Sequence, residues 1–133
     1  MQDMNDTPGP GEQVRREVMG DAFVERALGN ATDLTQALQD FINDHAWGAV
    51  WTRGGLDRRT RSLITLAALT ALKCPQELKG HVRGALNNGC TTAEIRETLL
   101  HMAVYAGVPA SGEAFRAAQE VIDAWETDNA GKN

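Results

Sequence analysis

The stretch CPQELKGHVRGALNNG, residues 74–89, decides how the chain is read. At about 100° per residue its side chains sort onto three faces of a helix. Leu78, Val82 and Leu86 form an apolar stripe, while Gln76, Lys79, Arg83 and Asn87 point to water. Glu77, His81 and Asn88 share a third sector beside the apolar stripe, with small Ala85 between the last two. Gly80 and Gly84 flank that sector on its far side, where another backbone can come close. Pro75 suits the first turn, where a missing N–H is harmless, and Gly89 suits the position just past the end. A carboxylate, an imidazole and an amide therefore face a half-buried boundary. A Glu–His pair at i, i+4 is also common on solvated helices, where it contributes only a few tenths of a kcal/mol. Spacing alone leaves both readings open.

Working towards the N-terminus, the segment from Arg58 to Lys73 reads as a helix with Asp57 as its N-cap. From Leu63 onward it is apolar almost all round, and such a helix needs cover on every side. So short a chain can hardly surround it alone, so part of it is expected to be buried by another subunit. Upstream, Leu34, Leu38, Phe41 and Ile42 fall at helical spacing behind a cap at Thr32 or Asp33, and the helix continues through Trp47 and Trp51. Two short helices, 11–19 and 22–28, flank a break at Gly20-Asp21. Towards the C-terminus, Thr91 and Glu94 have capping-box spacing for a helix ending near Ala106. Gly107-Val108-Pro109 breaks the chain, and Ser111 can cap a last helix carrying Phe115, Ala118, Ile122 and Trp125 on one face. Strand signals are nearly absent. The expectation is an all-α, single-domain bundle of about six helices over residues 11–126, with disordered ends at 1–10 and 127–133.

Composition sets limits on function. The chain has 133 residues and a formal net charge of −5, which disfavours nucleic acid. The only dense cationic patch is TRGGLDRRTR, with Arg53, Arg58, Arg59 and Arg61. Arg58 and Arg59 stand at a helix start, where the macrodipole favours an anion and an arginine is otherwise mildly unfavourable. They are candidates for pairing with carboxylates, against the alternative of a solvated patch matched by nearby Asp or Glu. Cys74 and Cys90 form no CxxC and no Cys/His metal spacing, so no metal site is expected. Cys74 sits at a helix N-cap, a place that lowers a thiol pKa, but lacks a second cysteine for cycling. His101 and Tyr105 read as a packed, hydrogen-bonded i, i+4 pair, and Trp47 and Trp51 as core or interface. The polar opening MQDMNDTPGPG lacks a signal peptide's apolar core, and the longest apolar-rich run is too short for a bilayer. A cytoplasmic protein with reduced thiols is expected.

Four separated blocks, in order, extend the reading: VRREVMGDAFVERAL, AWGAVWTRGGLDRRTRSLITLAAL, ELKGHVRGALNNGCTTAEIRETLLHMAVYAGVP and GEAFRAAQEV. Together they resemble the carboxymuconolactone decarboxylase family, in its gamma-carboxymuconolactone decarboxylase branch, over about residues 13–124. The resemblance implies an alkylhydroperoxidase-like helical fold and a homo-oligomer, a hexameric ring. It implies conversion of 4-carboxymuconolactone to 3-oxoadipate enol-lactone and CO2 in protocatechuate catabolism, without metal or organic cofactor. Related peroxidase-type proteins carry CxxC, a His four residues later and an upstream Glu. Here Cys74, Glu77 and His81 stand at the Cys, Cys and His positions, and Ser62 at the acid. Arg53-Gly54-Gly55-Leu56 departs from the branch's Arg-Pro-Gly-Leu pattern, which loosens that loop. On this reading His81 and Glu77 are catalytic, Arg58 and Arg59 anchor a retained carboxylate, Trp51 walls off the departing one and Asn88 holds ring oxygens. The alternatives are a thiol-dependent peroxidase working through Cys74, and a non-catalytic oligomeric binding protein.

Overall fold

The computed structural model describes residues 7–131. Among the described residues there are seven α-helices and one π-helical segment, and no strand. They are α1 (Pro10–Met19), α2 (Asp21–Gly29), α3 (Gln36–Phe41), the π-helical Ile42–Trp51, α4 (Arg58–Ala71), α5 (Pro75–Asn87), α6 (Thr92–Tyr105) and α7 (Val108–Asn129). The all-α expectation is met. Backbone contacts group these helices into two compact units, dividing after Asp57. The last turn of α7 occupies 127–129, within the expected C-terminal tail, and Pro10 already opens α1. Of the other expected tail positions, 7–9 and 130–131 lie outside the helices, and 1–6 and 132–133 lie outside the described residues.

In the first unit, Val18, Met19, Val24 and Trp47 are buried, with Val14, Phe23, Leu28, Ile42 and Trp51 packed around them. The π-helical winding stacks Trp47 on Trp51, with ring centroids 4.6 Å apart. Gly11 lets α1 touch this segment: a Cβ there would lie 1.8 Å from the Asn43 carbonyl oxygen. Arg15 is buried, and its Nη1 donates to Gln39 Oε1 and Asn43 Oδ1, each at 2.9 Å. Burial lowers its pKa, opposed by the charge of Glu12. The periodic face ahead of this segment departs from expectation. Leu34, Leu38 and Phe41 are 86%, 56% and 60% exposed, and only Ile42 packs. A reciprocal pair of Thr32–Thr35 hydrogen bonds makes a turn, so the helix starts at Gln36 and leaves Leu34 outside it.

The second unit is built on α4, α5, α6 and α7. Leu66, Leu78, Val82, Ala85, Ile95 and Leu99 form its core with Ala114, Ala117 and Ala118. The expected core stripe of α5 is there, with Leu78 and Val82 fully buried. Two of its four expected water-facing residues are instead tied to α7. Lys79 Nζ lies 2.6 Å from Glu120, and Arg83 pairs with Asp128 at 3.2 Å while its guanidinium sits over the Trp125 ring. The far side of α4 is open in this chain, with Ile64 and Leu72 exposed.

Helix ends explain the turns that set these elements. The Thr91–Glu94 capping box is present in both directions, with bonds of 2.9 and 3.0 Å. At the end of α5, Gly89 takes φ +90°, and its N–H and that of Cys90 reach back to Leu86 and Ala85. The end of α4 makes the same double bond with Lys73 at φ 58°, where a side chain is strained. Ser111 does not cap α7. The helix begins earlier, at Val108 with Pro109 in its first turn, and Ser111 is buried inside it with Oγ donating to Leu99 O at 2.7 Å.

Candidate active site

The candidate residues of the second unit come from two packed helices, α4 and α5. His81 sits mid-way along α5, half-buried, with its Nδ1 buried. Glu77 lies one turn earlier and is exposed. Ala85 is fully buried one turn later, so the sector beside the imidazole narrows towards the core. Asn88 is seven residues beyond His81, roughly 10 Å along the axis. There the helix meets the first turn of α4.

That meeting is closely bonded. Asn88 Nδ2 donates to Ser62 Oγ at 2.9 Å and to the Arg58 carbonyl at 3.3 Å. An amide nitrogen has two hydrogens, so these bonds engage both. Arg58, Arg59 and Arg61 are half-buried along the same stretch of α4, and the Arg61 Nε is buried. Arg59 takes the form of the alternative considered for the cationic patch. Its Nη2 donates to both carboxylate oxygens of Glu94, and its Nε donates to the Gly89 carbonyl at 3.4 Å. The Arg59 guanidinium holds the Glu94 carboxyl below the usual carboxylate range, helped by the Thr91 backbone N–H.

Trp51, the expected apolar wall, belongs to the first unit, where it is half-buried and stacked on Trp47. Cys74 Sγ donates to Leu72 O at 3.6 Å, and buried Cys90 donates to Arg59 O at 3.5 Å. The two thiols are free rather than joined. His101 and Tyr105 are both exposed, with ring centroids 4.8 Å apart, rather than packed as expected. Glu97 pairs with Arg96 at 3.0 Å. Among the described residues, no group of three or more His, Cys, Asp or Glu is placed to hold a metal. Two surface cavities are lined by none of the candidate residues. One of about 420 Å³ runs between Pro10 and Gly48 in the first unit, and one of about 220 Å³ lies between α6 and α7 beside Leu99 and Phe115.

Two functional candidates escaped the sequence. In the sequence Ser62 stands out only as a position where related proteins carry an acid, yet it is fully buried against Asn88. Glu94 was read as a cap and carries a second duty to Arg59, a residue 35 positions away that no local spacing connects to it.

The geometry brings an imidazole-bearing helix face and an arginine-rich helix start onto one pair of helices, a frame suited to a small anionic substrate. The carboxymuconolactone decarboxylase family model matches residues 36–120. The chain is 50% identical over 112 residues to 4-carboxymuconolactone decarboxylase of Acinetobacter baylyi, covering 84% of each protein. It is also 50% identical over 113 residues to nitrosuccinic acid decarboxylase of Metarhizium robertsii, covering 85% of this chain and 79% of that one. An uncharacterized 15.0 kDa protein of Paracoccus denitrificans is 44% identical over 78 residues, which is 56% of this chain and 58% of its own length. By the span of the family match and the reach of these likenesses, the chain belongs to the carboxymuconolactone decarboxylase family.

Proposed function

We propose that this protein is a 4-carboxymuconolactone decarboxylase, which converts the lactone to 3-oxoadipate enol-lactone and CO2. The observation that carries the proposal is 50% identity with the A. baylyi enzyme across 84% of both chains. Its chemical support is the imidazole on α5 and the arginine pair at the start of the adjoining α4.

The substrate explains why side chains suffice. The departing carboxylate sits on a ring carbon conjugated through a double bond to the lactone carbonyl. As the C–C bond breaks, its electron pair spreads into a furan-like dienolate and negative charge grows on the carbonyl oxygen. A proton then joins the carbon alpha to that carbonyl, which moves the double bond. A fixed donor at the oxygen contributes about 3–4 kcal/mol to such a step. General acid catalysis typically adds about 10²–10⁴-fold. His81 fills the donor or acid role, with Glu77 one turn away to orient it. The arginine-bearing first turn of α4 supplies the anchor for the retained acetate carboxylate, with Arg58 as its ligand and Arg59 beside it held by Glu94. An arginine on the departing carboxylate would stabilise the ground state and slow the reaction.

A second substrate has a specific observation behind it, the equal identity with nitrosuccinic acid decarboxylase. Loss of CO2 beside a nitro group leaves a nitronate, so both substrates need an electron sink and retain one carboxylate. Assaying purified protein with each compound separates them. Loss of lactone absorbance with stoichiometric CO2 supports the primary reading, and CO2 from nitrosuccinate alone replaces it.

The working form in this proposal is a cytoplasmic homo-oligomer, a hexameric ring of copies of the helical domain at 11–126. Large apolar side chains left open by one chain support it: Leu72 is 70% exposed, Val104 78%, Tyr105 74% and Val108 71%. Light scattering on the eluting protein tests it, with a six-chain mass expected and a monomer mass excluding it.

A further inference from the structure

We infer that Glu94 is a positioning residue for substrate binding: through Arg59 it latches the first turn of α4 and so sets the placement of the Arg58 guanidinium. This rests on the decarboxylase reading and divides labour within its arginine pair. Five contacts carry it. Glu94 holds Arg59 Nη2 through both carboxylate oxygens while its Oε1 also accepts the Thr91 N–H at 2.9 Å. Arg59 Nε reaches the Gly89 carbonyl at 3.4 Å. Asn88 Nδ2 takes the Arg58 carbonyl at 3.3 Å, and Cys90 Sγ takes the Arg59 carbonyl at 3.5 Å. The backbone on which Arg58 stands is thus pinned from the α5–α6 connection at two successive carbonyls, and the next side chain is pinned to the α6 cap. An arginine so occupied is poorly placed to clamp a substrate carboxylate as well. Arg58 takes the anchoring role in this division, and Arg59 with Glu94 forms the brace that sets the backbone on which it stands.

Glu94→Gln separates the latch from the cap, because Gln also serves at the third position of a capping box while losing the charged bond to arginine. The experiment compares wild type, Glu94→Gln, Arg59→Ala, the double variant, and Glu94→Gln in an Arg58→Ala background, with 4-carboxymuconolactone as substrate. The latch raises KM about five- to tenfold in each of the first two variants with kcat within twofold, as for lost uniform binding. The double variant is no worse than Arg59→Ala alone, and Glu94→Gln adds nothing once Arg58 is gone. Amide hydrogen exchange at residues 58–61 quickens in Glu94→Gln while the start of α6 stays protected. Unchanged KM in Glu94→Gln, multiplicative effects in the double variant, or a fall in kcat alone overturns the inference. If wild type releases no CO2 from the lactone, the decarboxylase reading fails instead. The latch is then decided by exchange alone, with faster exchange at 58–61 supporting it and unchanged exchange overturning it.

Discussion

Asn88, the C-cap of α5, and Ser62 on α4 are joined by a hydrogen bond of 2.9 Å, and Ser62 is fully buried. Twenty-six residues separate them in sequence. The bond fixes the register of two helices at the end where the arginines begin. Removing the amide leaves a buried hydroxyl short of a donor and cuts the tie to the Arg58 carbonyl. Asn88→Ala is therefore expected to destabilise the protein by about 1–3 kcal/mol. It should also raise KM for the substrate more than it lowers kcat. Denaturant titration and steady-state kinetics on one preparation check both.

Lys73 ends α4 at φ 58°, in the left-handed region that suits glycine. The fold requires that conformation because the N–H groups of Lys73 and Cys74 return to Thr70 and Leu69. Lys73→Gly should relieve the Cβ clash and raise stability by up to about 1 kcal/mol, less the added freedom of the unfolded chain. Thermal unfolding reads the difference.

Gly11 presents the opposite case. Any Cβ there collides with the Asn43 carbonyl and lies 2.8 Å from the Gly48 nitrogen, both backbone atoms that cannot rotate away. Gly11→Ala should cost about 3 kcal/mol, at the upper end of overpacking effects. The loss should appear in the near-ultraviolet signal of the Trp47–Trp51 stack as well as in the melting temperature.

The Glu94 carboxyl titrates below its ordinary range because Arg59 binds its ionised form. A carboxyl whose folded pKa is depressed contributes stability that is complete above its unfolded pKa, about 4.3, and lost as pH falls through the lower folded value. Stability should therefore fall more steeply below about pH 4.3 in wild type than in Glu94→Gln. Urea midpoints measured from pH 6 down to 3 test this, with parallel curves as the contrary result.

Much of this architecture is legible in the sequence where local physics decides it. The apolar stripe Leu78–Val82–Leu86, Pro75 in its first turn, Gly89 past its end and the Thr91–Glu94 box each rest on neighbours within a few residues. Readings that needed a partner from elsewhere fared worse. Leu34, Leu38 and Phe41 keep helical spacing but stay exposed, and Lys79 and Arg83 turn to α7 because acids wait there. Ser111 looked like a cap because Gly107 and Pro109 looked like a break, whereas proline is at home in a first turn. The polar sector of α5 was legible as a set of residue types. That Asn88 would face Ser62, and that Arg59 would be taken by Glu94, depends on contacts 26 and 35 residues apart.

In the proposed reaction His81 supplies the proton or the charge-stabilising donor as the lactone loses CO2. Single-turnover CO2 release from 4-carboxymuconolactone, in wild type and His81→Ala, tests it most directly. Wild type should release CO2, and the chemical step should be about 10²–10⁴-fold slower in the variant, with substrate still bound. Release by His81→Ala at the wild-type rate, or none from wild type, would contradict it.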